Sequence, residues 1–210
     1  MNPLLIACFF LIATSSFAQR ILWYEGSYDR PSYNLYWIYK PAIGNRVGYS
    51  FTGEDSDKEW GFLLGFNRWK PKRDTFYYAD GNGVGKALFS NYYILQIGVH
   101  LQRSFLMEKK LRPVIGMDFG YYYYTYEYEE HDHLHDLAGS IVEGRAAFCP
   151  TAGVQFNTDD IRIGFQVRYN FYISIGSSDS RDWSYNPNVG KFDYFWSAGL
   201  VLGYIHHKDK

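Results

Sequence analysis

Three histidines at alternate positions are the most chemically capable residues in this 210-residue sequence. The stretch EEHDHLHD, residues 129–136, sets His131, His133 and His135 among acidic neighbours. In an extended chain the three imidazoles share one face, since successive side chains point to opposite sides. Imidazole suits zinc, copper or nickel. The spacing matches no structural zinc motif, so the stretch reads as a solvated loop tip, with His131, His133 and His135 as weak metal candidates. His206 and His207 take the same reading. No metal and no cofactor is expected.

A second set of reactive groups lies within alternating segments. Asp118, Glu143, Arg145, Arg162 and Arg168 all fall on the polar face of their segments. If that face is interior, these charges must pair, and the expectation is an internal salt-bridged network that stiffens the fold. A narrow ion path is the competing reading. DGNGVGK, residues 80–86, has the composition of a phosphate loop but lacks the strand before it and the helix after it. It is expected to be a flexible loop. No nucleophile, base and orienting acid form a local signature. Cys149 faces the same side as the charges, away from any histidine that the sequence places near it.

The segments that must position these groups are strands. IRIGFQVRYNFYISI, residues 161–175, is apolar at every odd position, and its other face carries Arg162, Gln166 and Arg168. Strict alternation over this length is a strand signal, and the run far exceeds the roughly 5–6 residues of an ordinary strand. Similar alternation covers 60–68, 92–105, 113–125, 141–156 and 194–204, with weaker segments at 33–40 and 46–53. A composition of 20% Phe, Trp and Tyr favours β structure.

Together these predict eight strands. Short connections at 53–58, 106–112 and 157–160 alternate with long ones at 70–89, 129–138 and 177–190. A short first hairpin at 41–45 breaks the rule. Such alternation is that of an up-and-down barrel crossing a membrane, with short periplasmic turns and long external loops. A closed barrel also satisfies every backbone group inside lipid. The fold expectation is therefore all-β: an eight-stranded antiparallel up-and-down transmembrane β-barrel. Its apolar face meets lipid, and Trp60, Trp69, Tyr121, Tyr123, Tyr169, Tyr194, Trp196 and Tyr204 supply interfacial girdles.

Residues 1–18, MNPLLIACFFLIATSSFA, read as a signal peptide cut after Ala18, leaving 19–210 as the barrel domain. LIAC resembles a lipobox, but processing at Cys8 would leave the apolar FFLIA behind, so lipidation is rejected. The mature chain then holds Cys149 alone and no intrachain disulfide. A formal net charge of −1, without basic clusters, argues against nucleic acid as a partner.

The segments NYYILQIGVHLQRSF, LRPVIGMDFGYYYY, GVQFNTDDIRIGFQVRYNFYISI and FWSAGLVLGYI resemble the small outer-membrane β-barrel proteins of Bacteroidetes. That resemblance implies an eight-stranded barrel in the cell outer membrane, mostly without an assigned activity. Three features depart from it. The chain runs on past Tyr204 as far as HHKDK, Pro150 falls inside a strand where it removes a ladder bond, and Arg103 lies on the lipid face, where it would snorkel. A bulge or a later strand start is expected at Pro150.

The functional expectation is a non-enzymatic, monomeric, porin-like outer-membrane barrel. Its role would be structural, or binding and adhesion through its long loops to an extracellular or secretion-system protein. Two rivals differ in class. A barrel hydrolase or acyl transferase would need Ser140 or Ser178 beside a loop histidine. A secreted lipocalin-like carrier of an apolar ligand would need the two faces reversed.

Overall fold

The structure is a computed structural model that describes residues 19–53, 56–80, 83–131, 136–173 and 194–207. The described elements are β1 (Gln19–Pro31), α1 (Tyr33–Ile38), β2 (Ala42–Thr52), β3 (Lys58–Trp69), β4 (Phe76–Asp80), β5 (Gly83–Phe89), β6 (Tyr92–Ser104), β7 (Leu111–His131), β8 (Asp136–Asn157), β9 (Ile161–Ile173) and β10 (Tyr194–His207). Strands β1, β2, β3, β6, β7, β8, β9 and β10 pair in sequence order, all antiparallel, and β10 closes back onto β1. This is a closed eight-stranded up-and-down barrel. Strands β4 and β5 form a side hairpin, with β5 docked on the far end of β7 from Lys86↔His131 to Phe89↔Tyr128.

Two expectations at the N-terminal end are corrected. The first barrel strand is β1, not residues 33–40. Its outward face carries Leu22, Tyr24 and Tyr28, while Trp23, Glu25, Ser27 and Asp29 point inward. Gly26 and Arg30 interrupt that outward stripe, which hides the strand from a search for apolar alternation. Residues 33–38 are the short helix α1, which follows Pro31. Leu35 and Ile38 pack on the interior cluster, a spacing of three that suits a helical face, and the Tyr39 N–H donates to the Leu35 carbonyl at 2.8 Å. With β1 restored, the connection at 32–41 joins the long-loop end, and the short first hairpin that broke the alternation disappears. The stretch at 41–45 is not a hairpin, because β2 already begins at Ala42. Gln19 pairs with His207 at the short-turn end.

In the long connections at 70–89 and 129–138, most of the described residues are strand. The β7–β8 ladder continues from Leu111↔Phe156 to His131↔Asp136. It is roughly 70 Å of strand at about 3.4 Å per residue, so its outer part rises as a hairpin well beyond the barrel wall. Within 80–86, Asp80 ends β4 and Gly83–Lys86 open β5, so the described residues of this stretch are strand rather than the expected loop; 81–82 lie outside the described residues. His133, His135, residues 1–18, the connection at 177–190, Ser178 and the last residues of HHKDK lie outside the described residues.

Pro150 sits within β8 without a bulge. Strands β8 and β9 pair up to Phe148↔Phe171 and resume at Thr151↔Arg168 in the same register. Both missing pairs depend on a hydrogen bond donated by residue 150, which proline cannot make. On the other side, Met117↔Pro150 remains paired with β7. Arg103 lies one residue from the end of β6, its Nε 2.6 Å from Asp57 at the short-turn end.

Candidate functional site: the filled barrel interior

Alternation along each strand sends one face of polar residues into the barrel, where they stack in layers. At mid-height, cross-strand register sets two pairs directly opposite each other, Glu25↔Arg46 and His100↔Asp118. Arg168 of β9 then bridges them. Its Nη1 and Nη2 each donate to Glu25 at 2.9 Å, and its Nε lies 2.8 Å from Asp118 Oδ2. Arg46 donates from Nη1 to Glu25 Oε1 at 3.0 Å and to Ser27 at 2.7 Å, and from Nε to Gln96 at 2.9 Å. Asp29 lies 3.7 Å from Arg46 Nη2 and accepts from Ser27 and Asn67. His100 Nδ1 meets Asp118 Oδ1 at 2.6 Å. All of these groups are buried. The three carboxylates face two guanidiniums, and a protonated His100 would bring the cluster to charge balance. Buried ions are tolerable only with such full pairing.

The expected single network is instead three separate groups. Asp118 and Arg168 belong to the central cluster. Arg162 lies nearer the short-turn end, where its Nη1 reaches both oxygens of Glu59 at 3.0 and 2.8 Å. Glu143 and Arg145 lie at the opposite end. Arg145 Nη2 is 3.2 Å from Glu143, its guanidinium sits 4.9 Å from the Tyr124 ring centre, and Tyr124 donates to Glu143. The five residues share a face, but alternation says nothing of their height along the axis. Glu25, Asp29, Arg46 and His100 of the central cluster, and Glu59 beside Arg162, are members that sequence reading did not assign. His100 stood on the polar face of 92–105, and Glu59 stood one residue before the 60–68 segment.

Above the central cluster the interior is closed by aromatic side chains. Tyr39, Trp69, Tyr92, Tyr122, Tyr124, Tyr172 and Phe195 form one buried cluster. Tyr92 stacks between Trp69 and Tyr124 at 5.5 Å from each. Trp69 is therefore not a girdle residue. Its position alternates with Asn67 on the inward face of β3, and it is 0% exposed. Cys149 is buried in the same layer, its Sγ 3.1 Å from the Tyr122 hydroxyl.

Below the cluster lies a void of about 10 Å³, lined by Trp23, Glu59, His100, Gln102, Arg162, Gln166 and Val201. That is about the space of a single water. Gln166 donates to Gln102 at 3.0 Å, and Gln102 in turn donates to Gln155 at 3.1 Å. Beneath them the short-turn end opens into a polar cavity of about 500 Å³, whose lining includes Glu59, Ser104, Arg112, Gln155 and Arg162.

Of the histidine-rich stretch, residues 129–131 end β7 and Asp136 opens β8, while 132–135 lie outside the described residues. His131 Nδ1 bonds Asp136 at 2.8 Å on the outer β7–β8 hairpin. Among the described residues no group of three His, Cys, Asp or Glu side chains is placed to hold a metal. Ser140 lies opposite Glu127 on the same hairpin.

No protein-family model matches the sequence, and no curated protein matches it. The resemblance to the Bacteroidetes barrels thus rests on the four segments quoted above. Solved structures do match. A major outer membrane protein from Thermus thermophilus superposes with a TM-score of 0.60 at 9% identity, over 90% of this chain and 100% of that one. Neisserial surface protein A superposes with a TM-score of 0.50 at 12% identity, over 90% of this chain and 97% of that one. At such identities the likeness is one of fold.

Proposed function

We propose that this chain is a non-enzymatic outer-membrane β-barrel that binds or adheres through its long-loop end. One observation carries the reading. On the same strands the charges point inward, while leucine, isoleucine, valine and phenylalanine point outward; Leu64, Ile97, Ile163, Phe165, Val167 and Leu202 are all exposed. Water would disfavour this arrangement, whereas a hydrocarbon surround favours it. From Ile161 to Phe171 the outward face of β9 covers ten steps of about 3.3 Å. Tilted at roughly 40°, that makes a belt about 25 Å tall, the height of a barrel's apolar band. Trp60 and Tyr204 flank it at the short-turn end, and Tyr28, Tyr123, Tyr169 and Trp196 at the other. Aromatic residues favour both interfaces.

The filled interior supports a binding role rather than passage of solutes. At the long-loop end, Trp37 is 73% and Tyr77 76% exposed, and large aromatics offer contact area at low entropic cost. The reading takes the barrel as a monomer in outer-membrane lipid with an extracellular or secretion-system protein partner. It takes residues 1–18 as a cleaved signal, on their uncharged apolar run followed by small residues up to Ala18. A lipocalin-like carrier would need an apolar, open interior.

The test is electrophoresis of outer-membrane fractions with and without boiling. A band in that fraction whose migration shifts on boiling is the expected result. Recovery of the protein in the aqueous periplasm or medium, without a shift, would sink the reading.

A further inference from the structure

The outward rim at the long-loop end of β1–β3 carries cations that, among the described residues, no carboxylate answers. Arg30, Lys40, Arg68, Lys70, Lys72 and Arg73 cluster there, because segments 38–40 and 70–72 run side by side. The Lys40 N–H donates to the Lys70 carbonyl at 2.9 Å, and the Lys72 N–H to the Ile38 carbonyl at 2.7 Å. Among the described residues, none of these side chains forms an ion pair. At the other edge of the belt, Arg103 is matched by Asp57.

Their height is specific. Arg30 lies two residues beyond Tyr28 and Arg68 two beyond Phe66, each on the same outward face as the belt. Both guanidiniums rest on girdle rings, Arg30 at 6.0 Å from the Trp196 centre and Arg68 at 5.6 Å from that of Tyr93. Lys72 Nζ and Arg30 share the Tyr36 ring, at 3.5 and 5.1 Å. Aromatic girdles sit at headgroup level. Arg30 and Arg68 therefore point sideways into the headgroup layer rather than up into solution, and guanidinium is suited to bidentate phosphate contact.

We infer that this rim binds the phosphate groups of a phosphorylated lipid headgroup in the outer leaflet. The inference rests on the outer-membrane reading above. The sideways direction favours a lipid over a dissolved polyanion.

The test uses the full barrel, first shown to shift on boiling, in phosphatidylcholine nanodiscs doped with diphosphoryl lipid A or its dephosphorylated form. Native mass spectrometry counts the retained lipid. The wild type should favour the diphosphorylated form by on the order of tenfold. The variant R30Q/R68Q/K72Q should lose that preference, while K58Q/K109Q/K110Q, altered at the short-turn end, should keep it. Raised salt should weaken retention. Equal retention of both forms by the wild type, or an unchanged preference in R30Q/R68Q/K72Q, would overturn the inference. Tighter binding of inositol hexakisphosphate from solution than of lipid A would overturn the choice of a lipid. A barrel that fails to shift on boiling would instead count against the outer-membrane reading itself.

Discussion

Arg168 and Glu25 meet across the barrel in two parallel hydrogen bonds of 2.9 Å, each side chain 1% exposed, although 143 residues separate them. Removing one member leaves a buried charge short of a partner, which costs about 3–5 kcal/mol. Arg168→Met should therefore lower stability by that amount, as read from urea titration of folding in lipid vesicles. Glu25→Gln combined with Arg168→Met should lose less than the two single changes added together, with a coupling of about 1–3 kcal/mol. Additive losses would mean that the pair does not act as a unit.

Trp69 and Trp37 give a contrast within the same residue type. Trp69 is fully enclosed by Tyr92 and Phe195, at ring distances of 5.5 and 5.1 Å. Trp37 projects from α1 into the surroundings. Trp69→Ala should cost about 3–5 kcal/mol, and Trp37→Ala should stay within about 0.5 kcal/mol. The same urea titration measures both. If either proposed contact function uses Trp37, its loss should appear in binding and not in stability.

Which parts of this architecture were legible follows from how a barrel divides its residues. β9 announced itself because its outward face is apolar throughout and its inward face polar. β1 did not, because Trp23, Glu25 and Asp29 face inward among polar neighbours, and its outward stripe is interrupted by Gly26 and Arg30. Residues 33–40 read as a strand because aromatics occur there at short intervals, yet of the side chains described there it is Leu35, Ile38 and Tyr39 that pack on the core. For the interior site, alternation put Asp118 and Arg168 on the polar face of their strands, and both are buried. It could not pair Arg168 with Glu25, since that contact depends on β1 and on the level at which strands β1 and β9 meet the axis. The same missing coordinate grouped Arg162 with Glu143, which the structure places at opposite ends.

Pro150 marks a repairable gap in the wall. The β8–β9 ladder lacks its pairs only at Cys149 and Pro150, and the register is unchanged on either side. Pro150→Ala would restore a donor facing the Tyr169 carbonyl. The new amide at position 150 should be protected from hydrogen exchange, with a net gain of about 0.5–1.5 kcal/mol from the added bond, reduced by the extra freedom of the unfolded chain. Rapid exchange at that amide would show that the strands are splayed there.

The belt itself can be tested at its middle. Val167 is outward on β9, near the midpoint between Ile161 and Phe171, with Ala152 and Ala198 as its cross-strand neighbours. In hydrocarbon, an arginine at this depth of a barrel wall costs about 2–4 kcal/mol. In water, exchanging an exposed valine for arginine changes stability by about 0.5 kcal/mol or less. Val167→Arg should thus slow or reduce folding into vesicles. The same change nearer the rim, at Phe171, should cost less, because the side chain can reach the interface. The depth dependence matters more than either value, since a structural defect at one position would not follow height along the strand. Equal, small losses at both positions would mean that the apolar face meets water or another protein, and the membrane assignment of the outward face would fall.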